Sequence, residues 1–199
     1  MKQKLIIVVG LTGSGKSTVA RVIANQLGSC FIDKDTVTKK FTERFMEATY
    51  HDPNDRESEF YMRNIRPVQY EVLFDIVREN LEIENNVTMT ATFLEEVKDP
   101  LFIEKLVKKY PKSFENVSIF VVFIKSNRNI EKERLLRRSA TKDNWKLKNW
   151  DSYSRSVSDY NISWRMGPFQ LKEFDNSHND RSLMETELTN IIAWVNASR

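Results

Sequence analysis

The chain has 199 residues, 40% hydrophobic and 30% charged, and a net charge of +3. That is the composition of an ordinary globular protein with room for a sizeable core, read as a single domain over residues 1–199, and no apolar run reaches membrane-spanning length. Cys30 is the only cysteine, which excludes an internal disulfide, and the apolar run near the N-terminus is too short for a secretory signal, so the cytoplasm is the expected compartment.

Leu5 to Val9 is a short unbroken apolar run, the pattern of a parallel strand buried on both faces. Gly10, Leu11, Thr12, Gly13, Ser14, Gly15, Lys16 and Ser17 follow and fit G-x-x-x-x-G-K-[ST]. From Ser17 to Leu27, Val19, Val22, Ile23 and Leu27 recur at helical spacing. A strand, a glycine loop and a helix in that order form a phosphate-binding loop: glycines let the backbone approach an anion, and the loop amides and helix N-terminus point at it. Lys16 is expected to reach the outer phosphates and the Ser17 hydroxyl to ligate magnesium, with Thr18 completing the nucleotide-binding set.

A second strand is expected at Cys30–Ile32, running into Asp33-Lys34-Asp35 at the strand edge where open α/β sheets bind ligands. In an extended stretch alternate residues share a face, so Asp33 and Asp35 both look into the cleft. One would hold a magnesium-bound water and the other would accept a proton from a substrate hydroxyl. Asp35 is also a favoured helix N-cap, and that role stays open. Cys30 is expected to be buried packing. A helix over 36–48 carries Val37, Phe41, Phe45 and Ala48 on one side. The polar stretch 49–59 reads as a surface loop containing a solvated His51, and no His/Cys/Asp set has zinc spacing.

Pro67 suits the first turn of the next helix, whose apolar stripe is Val68, Val72, Leu73, Ile76, Val77 and Leu81. Arg63 and Arg66, near Tyr61 and Tyr70, stand either as an acceptor-binding group or as surface charge. A third strand is expected at 87–93, a helix interrupted near Pro100 over 94–110, and a fully buried fourth strand at 117–124. In the helix over 127–139, Arg134, Arg137 and Arg138 share one face while Leu135 and Leu136 anchor it. Guanidiniums so placed repel one another unless an anion lies among them. Residues 125–148 hold nine Lys/Arg against three Asp/Glu, a local anion site rather than a basic face for nucleic acid. Trp145, Leu147 and Trp150 then pack or clamp something. A weak last strand at 170–174 ends in a loop with a lone His178, and a helix over 180–197 closes the chain.

With these elements in place, the chain resembles the small P-loop kinases, especially gluconate-kinase-like and zeta-toxin-like members and their uncharacterised bacterial relatives. The matching stretches are Gly10–Ser17, Phe31–Asp35, Arg134–Arg138 and Asp143–Trp150. The resemblance implies a three-layer α/β/α P-loop nucleoside triphosphate hydrolase fold with a five-stranded parallel sheet and a helical lid at roughly 127–150. It implies that Arg134 and Arg138 neutralise the transferring phosphoryl group, with Arg137 able to substitute. Asp33 would serve magnesium, Asp35 the acceptor, and Asn176, in the loop 175–178, would border the adenine. Many relatives carry an aspartate at the end of the third strand where this chain has Thr90, so Asp33 would have to carry that carboxylate's metal role. The expected activity is magnesium-assisted transfer of a phosphoryl group from ATP to a hydroxyl of a small molecule, with Lys16, Asp35, Arg134 and Arg138 catalytic. Expected partners are the nucleotide and the acceptor, without nucleic acid or membrane. The rival readings are a nucleotide-binding regulatory protein or slow NTPase, and a polynucleotide 5′-kinase using the basic strip with Trp145 and Trp150 for stacking.

Overall fold

Strand β1 (Gln3–Gly10) is fully buried from Leu5 onward because it is paired on both edges and covered on both faces. It lies at the centre of a five-stranded parallel sheet with β2 (Cys30–Asp33), β3 (Val87–Ala91), β4 (Val117–Lys125) and β5 (Phe169–Asp175), in the order β2-β3-β1-β4-β5. Val8 pairs with Thr90 of β3 and with Val122 of β4, and Asp33 pairs with Thr90, so these strands end at one edge. The computed structural model describes residues 2–165, 167–178 and 181–197. Among them, no helix is long and apolar enough to cross a membrane.

Side chains alternate across a strand, and this splits the interior in two. Leu5, Ile7 and Val9 join Met89, Val121 and Phe123 under α3 (Arg66–Glu82) and α4 (Phe102–Lys109), through Leu73, Val77, Ile103 and Leu106. Ile6, Val8, Phe120 and Val122 face the opposite way, onto Val19, Ala20 and Ile23 of α1 (Lys16–Leu27) and Leu188, Ile191 and Val195 of α9 (Arg181–Ala197). Helices on both faces of a parallel sheet give the expected three-layer α/β/α architecture. Pro111 opens the short α5 (Pro111–Phe114), directly after α4. Cys30 is half-buried against the first cluster. The closing helix is described from Arg181, so Asp180 lies outside the described residues.

Between β4 and β5 run α6 (Arg128–Arg138), α7 (Asn144–Lys148) and α8 (Trp150–Ser156). They are tied to the main body by a third cluster, in which Leu135, Trp150, Tyr153 and Val157 close around Leu11. Leu135 anchors α6 as expected, whereas Leu136 points to solvent. Trp150 is buried and Trp145 exposed, so the two tryptophans do not form a paired clamp.

Helix α2 (Lys34–Tyr50) corrects the sequence reading most sharply. Val37, Phe41 and Phe45, the apolar side read from the sequence, are 41%, 69% and 37% exposed, and Ala48 is exposed too. The buried face is Lys34, Thr38, Thr42 and Met46. Polar partners decide this rotation. Gln69 of α3 donates through Nε2 to Thr42 Oγ1 at 2.7 Å and accepts from Lys34 Nζ at 2.9 Å, and both bonds need that face inward. The same preference turns α3, where Gln69 and Tyr70 are buried and Val68 and Val72 are exposed. Two substitutions read this orientation: Met46→Ala should lower unfolding free energy by about 2–5 kcal/mol in a urea titration, and Phe41→Ser should change it by no more than about 0.5 kcal/mol.

Candidate active site

The site grows from the turn between β1 and α1. Gly13 and Gly15 hold φ of 87° and 90°, the left-handed region that glycine enters without penalty. A Cβ at Gly13 would stand 2.8 Å from Glu131 O, and one at Gly15 would stand 2.4 Å from Asn176 Nδ2. The Ser14 amide closes the turn onto Leu11 O at 3.1 Å, and the Thr18 and Val19 amides fold back onto Gly15 O. Among the described residues the amides of Gly13, Gly15, Lys16 and Ser17 make no hydrogen bond. Buried backbone donors are almost always paired, so a cluster of free N–H groups at the positive end of a twelve-residue helix has the donor set an anion requires.

Two residues from distant parts of the chain grip this turn. Asn176 donates through Nδ2 to Ser14 O at 2.7 Å, and Arg134 donates through Nη1 to the same oxygen at 3.3 Å. Asn176, expected beside the adenine, thus spends its side-chain amide on the loop itself. Arg134 also reaches His178 O at 3.4 Å, which joins α6 to the loop after β5. Burial, then the neighbouring Arg137 guanidinium, lower the Arg134 pKa.

Two recesses open on either side of Lys16. One, of about 540 Å³, is lined by Gly13, Gly15, Thr18, Arg134, Asn176 and His178 among others. The second, of about 280 Å³, holds Asp33, Asp35, Tyr61, Arg66, Gln69 and Tyr70 among its walls. Lys16, Ser17 and Arg138 line both. Gly10, Leu11 and Thr12 lead into the turn, with Thr12 at the wall of the smaller recess and Gly10 pressed so close to Ser14 Oγ that a Cβ would lie 2.6 Å from it. Lys16 Nζ rests on Leu11 O at 3.4 Å. Burial brings its pKa down to about 8, against the partial support of the Asp35 and Asp33 carboxylates.

Asp33 and Asp35 line the same recess for a reason other than strand alternation. The strand ends at Asp33, and Lys34 begins the helix. Asp33 is the N-cap: its Oδ1 accepts from the Asp35 amide at 2.9 Å and the Thr36 amide at 3.4 Å, which settles the capping question against Asp35. Asp35 lies in the first turn, with Oδ1 3.0 Å from Lys34 Nζ and Oδ2 2.6 Å from Lys142 Nζ. Burial would raise its pKa, but the Lys34 and Lys142 ammoniums outweigh that and hold the carboxyl well below the usual range. Among the described residues no group of three or more His, Cys, Asp or Glu could hold a metal ion. A magnesium ion here would rest on Ser17 Oγ, the free oxygen of Asp33 and the ligand's own phosphates, a sparse protein contribution that suits magnesium.

The arginine face of α6 is divided. Arg138 donates through Nε and Nη2 to Asp143 Oδ2, at 2.9 and 2.5 Å, so a buried carboxylate already balances it. Arg137 is exposed at the rim of the larger recess. The mutual repulsion expected of three guanidiniums is relieved in part by Asp143 and not by an external anion alone. Thr90, in place of the relatives' aspartate, is buried and donates to Val8 O at 3.0 Å, so its hydroxyl serves the sheet. Beyond it Phe93 takes φ 53°, unusual for a bulky residue. Its amide donates to Tyr70 Oη at 2.9 Å and not to a main-chain carbonyl, and that turn presents Ala91 and Thr92 to the smaller recess.

Sequence reasoning missed Lys34, Gln69 and Arg56. A glutamine in register with Leu73 and Val77 on an apolar helix face was the available signal for Gln69. Nothing in the sequence marked Arg56.

This fold and loop define a P-loop kinase architecture. A family profile described as an AAA domain, AAA_33, matches residues 5–159, and the chain belongs to that family. No curated protein sequence matches it. Among solved structures, a protein of Chloroflexus aurantiacus described as a candidate kinase superposes with a TM-score of 0.70 at 19% identity, over 100% of both chains. The shikimate kinase of Bacteroides thetaiotaomicron gives 0.54 at 18% identity, over 96% of this chain and 98% of that one. The gluconokinase of Sinorhizobium meliloti gives 0.53 at 16%, over 98% of each. At these identities the likeness is one of fold.

Gly15→Ala tests the turn. The new Cβ must enter a left-handed conformation and displace Asn176, so unfolding free energy should fall by at least about 1–2 kcal/mol in a thermal or urea titration.

Proposed function

We propose that this chain is an ATP-dependent kinase that transfers a phosphoryl group to a hydroxyl of a small-molecule acceptor. One observation carries the reading: two recesses, one fronted by unpaired loop amides and the other containing a carboxylate, meet at Lys16, Ser17 and Arg138. A donor phosphate chain in the larger recess would have its last phosphoryl group beside an acceptor in the smaller one. Such chemistry needs mainly positioning and charge neutralisation.

The residues take the following parts. The amides of Gly13, Gly15, Lys16 and Ser17 bind the phosphates, with Thr18 flanking them. Lys16 neutralises charge at the junction. Asp35 accepts a hydrogen bond from the acceptor hydroxyl and takes its proton as the oxygen–phosphorus bond forms and the bond to the nucleoside diphosphate breaks. Each Asp35 oxygen faces one ammonium and keeps a further lone pair for the hydroxyl, and the segment 127–150, which carries Lys142, acts as the lid over it. Arg134 stands at the loop, and Arg138, held by Asp143, lines the junction and adds positive charge there. Ser17 and Asp33 would hold a magnesium ion, which would supply further charge neutralisation on the phosphates.

A second reading, a nucleotide-binding regulator or slow NTPase, draws on the prior engagement of both Asp35 oxygens and on the inward-facing Thr90 hydroxyl. Product analysis separates the two. Incubation with magnesium and ATP plus a mixture of hydroxy compounds should give a phosphorylated acceptor by mass spectrometry, and release of inorganic phosphate alone would favour the regulator.

Two outcomes follow from the geometry. Lys16→Ala should abolish turnover, and Asp35→Asn should lower kcat by about a hundredfold or more while nucleotide affinity changes little. The pH dependence of binding carries the sign of the Lys16 shift. Its pKa is lowered to about 8, so the ammonium is present below that pH and lost above it. Nucleotide affinity, measured calorimetrically, should be level below pH 8 and weaken by up to about tenfold per unit above it, with proton uptake on binding.

A further inference from the structure

The charges that line the smaller recess are nearly all internally paired, and the exceptions are informative. Lys34 and Lys142 both face Asp35, Lys39 faces Glu43, Arg66 faces Glu96, Arg138 faces Asp143 and Lys146 faces Glu57. Two lining cations have no carboxylate within ion-pair distance among the described residues: Lys16 and Arg56. Lys16 belongs to the phosphate loop. Arg56 lines the same recess from the stretch between α2 and α3 that the sequence marked only as a polar loop.

Arg56 is half-buried and fixed in place. Its Nη1 donates to Pro53 O at 3.0 Å and to Asp55 O at 2.6 Å, and its guanidinium lies 5.3 Å over the Tyr61 ring. Asp55 stiffens the loop beneath it by accepting the Glu57 and Ser58 amides at 2.9 and 3.0 Å. Among the described residues Nε and Nη2 make no hydrogen bond, which leaves one edge of the guanidinium with its donors side by side, the geometry that receives a carboxylate or phosphate bidentately. Its hydrogen bonds go to carbonyls alone, and the Asp55 carboxylate feels its charge without pairing with it, so this partly desolvated cation gains from a bound anion. Arg56 also lies one phenol ring from the catalytic end of the recess: Tyr61 Oη donates to Gln69 Oε1 at 2.8 Å, and Gln69 accepts from Lys34, the partner of Asp35.

We infer that the acceptor is a small hydroxy compound carrying its own oxyanion, a carboxylate or a phosphate, which Arg56 binds through its Nε and Nη2 edge while the reacting hydroxyl faces Asp35. This rests on the kinase reading. At about 280 Å³ the recess is at the small end of ligand sites, which suits a compound of a few carbons. The paired state of the remaining cations explains why one arginine suffices: the anion meets a single open positive charge, and a neutral polyol of equal size leaves it unmet.

The experiment uses the full chain saturated with magnesium and a non-hydrolysable ATP analogue, so that Lys16 is engaged. Calorimetric titration then compares matched pairs: glycerate with glycerol, gluconate with sorbitol, and ribose 5-phosphate with ribose. At least one anion should bind tenfold or more tightly than its neutral partner, and the carboxylate and phosphate arms identify which oxyanion fits. Arg56→Gln should reduce that preference by on the order of tenfold to a hundredfold while affinity for the analogue stays the same. A purely structural Arg56 would weaken anion and neutral partner alike. Analogue binding without any anion preference, or a preference that survives in Arg56→Gln, overturns this inference and leaves the kinase reading standing. Failure to bind the analogue at all overturns both.

Discussion

The carbonyl of Ser14 is the point on which the site depends. Asn176, from the loop after β5, and Arg134, from α6, both donate to it. Their grip keeps the turn open with its amides facing outward. Without it the free donors of Gly13, Gly15, Lys16 and Ser17 would be at liberty to close onto nearby carbonyls, as the Ser14 amide already does onto Leu11 O. The turn therefore stores its hydrogen-bonding capacity for an external anion, and the residues that hold it open come from the two segments that flank the larger recess. Gly13 and Gly15 permit this because any side chain at either position would collide with the elements doing the holding.

The smaller recess follows a different rule. Its walls are saturated with charge pairs and a buried polar network in which Gln69 joins Lys34, Thr42 and Tyr61. Low local dielectric makes each of these bonds stronger and each omission costlier, so the network fixes α2 against α3 and sets Asp35 at the junction. It also explains the exposed Val37 and Phe41: turning them inward would strand Lys34 and Gln69 without partners, a larger loss than leaving two apolar side chains in water. The contacts from Lys142 to Asp35, Lys146 to Glu57 and Thr141 to Asn54 bind the segment after α6 to the walls of this recess, so access to Asp35 and the position of α6 are linked.

Sequence alone determined the sheet strands, the phosphate loop and the helix that follows it. Those features are written in local chemistry: unbroken apolar runs for doubly covered strands, glycines where φ is positive, and a lysine and serine at fixed spacing. It also pointed to Asp33 and Asp35, at a strand end on the edge where the glycine turn lies, and to Arg134, which the fold brings onto the Ser14 carbonyl. Tertiary structure decided which way amphipathic helices turn and which charges are spent on one another. Hydrophobic periodicity pointed Phe41 and Phe45 inward, and only the partners waiting on α3 reversed that. The spacing of Arg134, Arg137 and Arg138 was legible, yet the capture of Arg138 by Asp143 was not, nor was the lack of an ion-pair partner for Arg56 among the described residues. Ion pairing between residues far apart in the chain has no period and no local signature. It exists only once the fold has set the distances.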